Sequence, residues 1–440
     1  MNIIIVGAGS VGYTCAQVLS QFHNVMTIEV DKTTAENIKD LLNVSTLCEN
    51  GVNPKTLEEA FERQQPEVII SATEHDEDNL FIAMISKHIK PEIVTIVTIR
   101  NPDFMTEISS KIVDRIISPE LAIANKIVEL SLLENAIDYD SIESMNMSIV
   151  LFEVTDKHVN IIGKVVIDLE IPKDCTIVCI CREDTTIVNC ETMEILAGDK
   201  ITVLGTSKGV SEFNRFMGIT HEASEFIVVG GGFSGLKAAK LLESRKKSVK
   251  ILETNTKRCD RLVREVNNVV VVNGSGVNPH LLQNENIGRA DVLMAMTNRD
   301  ETNLLSCLMG MKLGTTKIIS RYSMPEYADI FDFVGIKSAI GTHRIVANEI
   351  TKILISDKQS ILEMRHPGEK FFTITVEDNS KIRDQHMGDI HLPEGVRITC
   401  IVHNGEKIYP RMDTEIHAND VLVMFTYNVS TDSLEKIINF

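Results

Sequence analysis

No stretch of this 440-residue chain approaches the roughly 18 uninterrupted apolar residues that a membrane-crossing helix needs. The N-terminus also lacks a basic segment followed by a cleavable apolar one, because "MNIIIVG" runs straight into a strand and a turn. These two absences lead us to expect a soluble, cytoplasmic protein. Basic residues are not in excess either. Lys and Arg number 44 against 62 Asp and Glu, a formal net charge of −18, and overall acidity argues against nucleic acid as a partner. The nine cysteines include no CxxC pair. Their densest group, Cys175, Cys179 and Cys181 in "CTIVCICRE", shares one face if the strand alternates regularly. With no histidine nearby, the group reads as buried thiols, and no metal site is expected. An odd cysteine count fits a reducing compartment.

What is present is an ordinary globular mix, 43% hydrophobic and 24% charged, in a chain long enough for two to four domains. It repeats itself. "IIIVGAGSVGYTCAQVL" returns as "FIVVGGGFSGLKAAKLL", setting Gly7, Gly9 and Gly12 opposite Gly230, Gly232 and Gly235. "SATEHDEDN" (71–79) returns as "AMTNRDETN" (295–303), and "GVNP" occurs at 51–54 and 276–279. "TIVTIRNPDF" parallels "KIISRYSMPEY", which sets Arg100 opposite Arg321. More faintly, "IPKDCTIVCICREDTTIV" resembles "LPEGVRITCIVHNGEKIY". Each half is therefore expected to hold a larger α/β unit, with short apolar strands alternating with helices around a parallel sheet, and a smaller β-rich unit. Between them lie helical stretches at 118–137 and 341–356, read as connectors or pairing surfaces. The expected domains are 1–117, 118–221, 222–340 and 341–440.

The glycine runs are G-x-G-x-x-G fingerprints, each following a strand and opening a helix. The first comprises Gly7, Ala8, Gly9, Ser10, Val11 and Gly12; the second comprises Gly230, Gly231, Gly232, Phe233, Ser234 and Gly235. Such a turn offers the unpaired N–H groups of a helix start to a pyrophosphate. An acid closing the second strand, Glu29 in one copy and Glu253 in the other, would hold both ribose hydroxyls and repel a 2′-phosphate. That favours NAD or an adenosine nucleotide over NADP; Asp31 reads as a solvated turn residue. Thr73 and Thr297 close the fourth strand of each sheet. There they either touch ribose and phosphate or cap the helix that follows. Arg100 and Arg321 either clamp a phosphate or pair with a neighbouring acid.

Doubled fingerprints, ribose acids and small β units together resemble the TrkA family, the NAD-binding peripheral subunits of Trk-type potassium uptake systems. Each half resembles an RCK (KTN) module. The resemblance implies an α/β fold of two tandem Rossmann-like domains with parallel sheets, each followed by a small α+β TrkA-C domain. It implies NAD(H) as ligand, ATP or ADP as further ligands, and a homo-oligomer, dimer or tetramer, forming an RCK ring. The ring would sit in the cytoplasm, peripheral at the inner face of the membrane, beneath a TrkH- or TrkG-type potassium transporter subunit. Carried over by position, the site would comprise both phosphate loops, Glu29 with Glu253, Thr73 and Glu74 with Thr297 and Asn298, and Arg100 with Arg321. Two positions depart from the family's usual "GD" or "GH" pair: Asn50 stands in "ENG" and Ser275 in "GSG". Bulky Phe233 in the second loop leads us to expect weaker binding in one half.

The competing class is an NAD-dependent oxidoreductase, which needs a proton donor or acceptor beside the nicotinamide. No such group recurs between the halves. His75 becomes Arg299, and His343 corresponds to Glu120. With no catalytic residue to assign, the sequence reads as a switch rather than an enzyme.

Overall fold

The structure is a computed structural model. It describes all residues except 22, 43, 106–110, 143–144, 184, 219–221, 355–360, 365–367 and 430–440, and only the backbone of 361–363. The expected limits at 221 and 440, and the last two residues of the stretch 341–356, lie outside the described residues.

The chain divides into two compact units, Met1–Val128 with Ser224–Thr351, and Glu129–Ala223 with Lys352–Phe440. Like is grouped with like: the first unit holds both larger α/β copies, the second both smaller ones.

In the first unit, runs such as "NIIIV" and "EFIVV" are too apolar for a half-solvated strand. They form the centres of sheets covered on both faces. Strands β1 (Asn2–Val6), β2 (Asn24–Ile28), β3 (Ser45–Leu47), β4 (Val68–Ser71), β5 (Val94–Thr98) and β6 (Arg115–Ile117) pair in parallel in the order β3-β2-β1-β4-β5-β6. The second copy repeats this. Its strands β12 (Glu225–Val229), β13 (Ser248–Glu253), β14 (Val269–Asn273), β15 (Val292–Ala295), β16 (Lys317–Tyr322) and β17 (Ser338–Gly341) run β14-β13-β12-β15-β16-β17. In both, the order reverses beside the first strand, where open parallel sheets bind ligands. The core is Ile4, Ile28, Leu57, Phe61 and Ile69 in one copy and Val229, Leu252, Leu282, Leu293 and Phe331 in the other. The repeated "GVNP" is a helix start. Asn53 and Asn278 accept backbone N–H bonds as N-caps, with Pro54 and Pro279 at the first helical position.

In the second unit, the small copies are antiparallel sheets of matching order. Strands β7 (Ala136–Ile142), β8 (Met147–Glu153), β9 (Cys175–Arg182), β10 (Thr185–Ile187) and β11 (Lys200–Gly205) run β10-β9-β11-β8-β7. Strands β18 (Ile361–Glu363), β19 (Glu369–Thr375), β20 (Val396–His403), β21 (Glu406–Ile408) and β22 (Val421–Tyr427) run β18-β19-β22-β20-β21. One core joins both sheets, with Ile149, Cys179 and Leu204 packed with Phe371, Cys400 and Phe425. Thr186 of one copy donates to Glu369 of the other at 2.6 Å.

The cysteine group is buried, as expected, but does not share one face. A bulge breaks the β9–β11 register, so Ile177 faces Val203 while Cys179 faces Thr202. The extra residue inverts the alternation, and Cys175 parts from Cys179 and Cys181. Burial pushes the Cys175 thiol up to about 12 and Cys179 well above its ordinary value, which makes both unreactive.

Candidate functional site

The first phosphate loop is shaped by two close approaches. Gly7 has φ +89°, and a Cβ there would lie 2.9 Å from the Ala72 and Thr73 backbone. A Cβ on Gly12 would sit 1.8 Å from the Gly7 carbonyl oxygen. At Gly9, by contrast, a Cβ would meet nothing within 4 Å. That open space faces the start of helix Ser10–Leu19, whose N-cap Gly9 has no side chain to satisfy the first-turn N–H groups. The second loop has the same geometry. Gly230 has φ +104°, a Cβ on Gly235 would lie 1.9 Å from the Gly230 oxygen, and Gly232 is open. Both loops thus leave open space at an uncapped helix start, a geometry that can admit an anion.

The two carboxylates that close the second strands match bond for bond. Glu29 accepts from the N–H of Ala8 at 2.6 Å and of Asp31 at 2.9 Å. Glu253 accepts from Gly231 at 2.9 Å and Asn255 at 2.8 Å. Their neighbours differ. Glu253 is buried and has the Arg258 guanidinium 3.1 Å away. Burial alone would raise its pKa, but the N–H groups of Asn255 and Gly231 together with Arg258 outweigh it and hold the carboxyl below its ordinary value. Asp31 is exposed, as expected, and also caps helix Lys32–Leu41 through the Thr34 N–H. In the second loop, Phe233 lies beneath the Arg261 guanidinium, 5.7 Å from the ring centroid.

Thr73 and Thr297 serve their own loops. Each donates its hydroxyl to a buried asparagine, Asn79 or Asn303, at 2.7 Å. Asn50 and Ser275 both close turns, accepting from Val52 and Val277.

The expected equivalence of Arg100 and Arg321 is not what the structure contains. Asn79 donates to the Thr98 carbonyl, and its counterpart Asn303 donates to the Arg321 carbonyl. Asp76 accepts from the N–H groups of Arg100 and Asn101, and its counterpart Asp300 from those of Ser323 and Met324. Arg321 thus corresponds to Thr98, and Arg100 to Ser323. Strands β5 and β16 begin in register, Val94 with Lys317, and β16 runs one residue longer, so matching by residue type alone slips the pairing by two positions. Arg100 is exposed beside the first cleft, whereas Arg321 is 3% exposed. Arg321 makes two bonds to Glu120 of the first copy, at 2.7 and 3.3 Å, and one to Ser234 at 3.2 Å. Sequence reasoning noted Glu120 without a role and missed Arg258; Glu120 lies 201 residues from Arg321, and Arg258, five residues after Glu253, has no basic counterpart in the first copy.

Around the first loop these groups border a cavity of about 780 Å³. Gly7, Gly9, Ser10, Val11, Glu29, Asn50, Thr73, Glu74 and Arg100 line it, together with Glu120. The second copy contributes Asn298, Arg321 and His343. The cavity is within the range of small-molecule sites. Ala8 sits beneath it, 2% exposed. Burial lowers the His343 pKa, and the ring packs against Tyr322. Among the described residues no helix is long and apolar enough to cross a membrane.

Fold and site define a tandem pair of Rossmann nucleotide-binding domains, each followed in the chain by a small antiparallel β domain. The chain belongs to the TrkA-N domain family, whose model matches residues 3–119 and 226–342, and it also carries two TrkA-C domains, at 149–218 and 371–439. It is 28% identical to "Trk system potassium uptake protein TrkA homolog 1" of Methanosarcina mazei, over 99% of each chain. It is 29% identical to the TrkA homolog of Archaeoglobus fulgidus, over 99% of each, and 27% identical to TrkA of Vibrio alginolyticus, over 97% of this chain and 96% of that one. Among solved structures, the GsuK RCK domain has a TM-score of 0.61 at 16% identity, covering 99% of this chain and 94% of that one. The "GsuK channel bound to NAD" has 0.60 at 16%, covering 99% and 78%. These likenesses show the RCK fold.

Proposed function

We propose that this chain is the regulatory subunit of a Trk-type potassium uptake system, a switch rather than an enzyme. It would bind NAD(H) in the first Rossmann cleft and gate flux through a membrane subunit of TrkH or TrkG type. The observation that carries this is the first cleft itself, in which a phosphate loop, a ribose acid and Arg100 border one cavity with residues of the second copy. The open N–H groups of helix Ser10–Leu19 suit the pyrophosphate, and Glu29 suits a ribose diol. Arg100 is free to meet a phosphate. The relatives' names supply the potassium system.

The second cleft takes a different role. With Glu253 paired to Arg258, a ribose diol finds less there, so this half binds NAD(H) weakly. A ligand in the first cleft that also touches Asn298 or Arg321 biases how the two copies sit against each other, and through them a dimeric or tetrameric RCK ring. It does so only by its differential affinity for the two arrangements, typically about 1–3 kcal/mol. The assembly is cytoplasmic and peripheral at the inner membrane face.

The test is to reconstitute the protein with its membrane partner and measure potassium flux against NADH, NAD, ATP and ADP. Nucleotide-dependent flux without nucleotide turnover supports the switch. Flux indifferent to all four, or steady NADH oxidation by a small substrate, overturns it.

A further inference from the structure

The second small β copy carries a cluster that the nucleotide switch does not use. His403 at the end of β20, and His417 and Asp420 before β22, bring one ligand atom each within 4.8 Å of one another. Both Nδ1 nitrogens face the same carboxylate. His403 Nδ1 is 2.6 Å from Asp420 Oδ1, and His417 Nδ1 is 3.9 Å from Asp420 Oδ2. The two rings lie 4.9 Å apart. Asp420 is buried and fixed in place, accepting the His417 backbone N–H at 2.7 Å. His417 is exposed and His403 partly so, which gives an ion a path in.

The first copy shows what this corner of the fold needs for structure alone. There Arg182 holds the equivalent carboxylate, Asp199, through two bonds of 2.7 and 2.8 Å, and the residue whose N–H completes the turn is Leu196. Arg182 corresponds to His403, Asp199 to Asp420 and Leu196 to His417. A permanent ion pair and an aliphatic side chain have thus been exchanged for two imidazoles, while the carboxylate and its backbone bond are kept. A simple hydrogen bond to Asp420 would account for His403 but not for His417.

The far ring nitrogens also have partners. His417 Nε2 faces Glu415 at 3.9 Å, and His403 Nε2 lies 3.0 Å from the Asn404 amide. A metal-bound imidazole commonly has its other nitrogen held by a carboxylate or amide oxygen, which orients the ring. Reversing the Asn404 amide presents its oxygen to that nitrogen.

We propose that His403, His417 and Asp420 form a binding site for a late first-row divalent cation such as Zn²⁺, Co²⁺ or Ni²⁺. Two imidazoles and one carboxylate suit these ions and not the oxygen-seeking Mg²⁺ and Ca²⁺. Three protein ligands leave coordination positions for water. Binding shortens the distance from His417 to Asp420 and clips the end of β20 to the turn before β22. The clip that Arg182 makes permanently in the first copy becomes conditional on the ion in the second.

The test uses the untagged full chain, stripped with chelator and carrying Cys48→Ser, because Cys48 is an exposed thiol. Zn²⁺ is titrated in competition with a chromophoric chelator, and Co²⁺ by its visible ligand-field bands. One ion per chain is expected, with a rise in melting temperature and no response to Mg²⁺ or Ca²⁺. His417→Ala leaves the His403–Asp420 bond in place and is expected to weaken Zn²⁺ by about 100-fold, the upper end of what loss of even an outer partner does. His403→Arg copies the first domain and removes binding while keeping the fold. Absence of one-to-one binding in the parent, or binding that survives His417→Ala, overturns the proposal.

Discussion

Glu29 and Glu253 occupy one position in the two Rossmann copies, and matching backbone N–H groups hold them. Glu29 is half-buried at the edge of the open cavity. Glu253 is 4% exposed and already has a cation beside it. The position of Arg258 is held in the first copy by Thr34, which bonds to Asp31 instead. The phosphate loops diverge in the same sense, since Phe233 under Arg261 replaces Ser10. Loops with the same three glycines thus sit in unlike electrostatic settings. Duplication has left the backbone machinery intact in both copies and let neighbouring side chains decide what each cleft can hold.

The most damaging way to probe this comparison lies within the loops. Gly12→Ala drives a Cβ into the Gly7 carbonyl and should cost about 3 kcal/mol or more, or prevent folding of the first unit. Gly9→Ala meets no atom and should leave the melting temperature unchanged while removing NADH binding, because its methyl takes the space left for phosphate. Thermal unfolding and calorimetric titration separate the two. Should Gly9→Ala bind NADH normally, the anion site is misplaced.

The contact between copies is next. Arg321→Ala strands Glu120, which is 12% exposed, and removing one partner of such a pair typically costs about 3–5 kcal/mol. Replacing both partners, Arg321→Met with Glu120→Gln, should recover much of that loss in denaturant unfolding. A single variant as stable as the parent would show that the pair is not buried.

Affinity gives a smaller effect. Hydrogen bonds to a charged group contribute about 1.5–3 kcal/mol, so Glu29→Ala should weaken NADH by roughly 10- to 100-fold, with Glu253→Ala changing it far less. Arg258→Ala should bring the second cleft closer to the first, visible as added NADH binding.

The mildest prediction concerns the second unit. Burial pushes the Glu369 carboxyl up to about 7, against the hydrogen bond from Thr186 and the charge of Lys200. Its folded pKa lies above the unfolded value of about 4.3. The contribution to stability is therefore complete below about pH 4.3 and is lost as pH rises through about 7. The Glu369→Gln side chain does not titrate, so the variant's stability relative to the parent should rise between pH 4 and pH 8 by the linkage of that shift, while the amide's own desolvation offsets both values equally. Equal stability differences at both pH values would refute this.

Features fixed over short spacings were legible in the sequence. The glycine loops, Glu29 and Glu253, and the Asn-Pro helix starts each depend on a few neighbouring residues and appear twice. Asp76 with Asp300 and Asn79 with Asn303 were visible as repeated residues, but their role in pinning the loop after the fifth strand needs the strand register. The Arg100–Arg321 match failed for the same reason, since residue type does not reveal that the register sets Arg321 opposite Thr98. Arg321 with Glu120 bridges positions 201 residues apart, and no periodicity points to it. The β9 bulge hid the parting of Cys175 from Cys179, because alternation presumes an unbroken ladder.

The central claim is that the first cleft, and not the second, is the dinucleotide site. Calorimetric titration of NADH into the parent, Glu29→Ala and Glu253→Ala chains tests it most directly. The account predicts one strong site per chain, lost in Glu29→Ala and kept in Glu253→Ala. Two equal sites in the parent, or strong binding that survives Glu29→Ala, would contradict it.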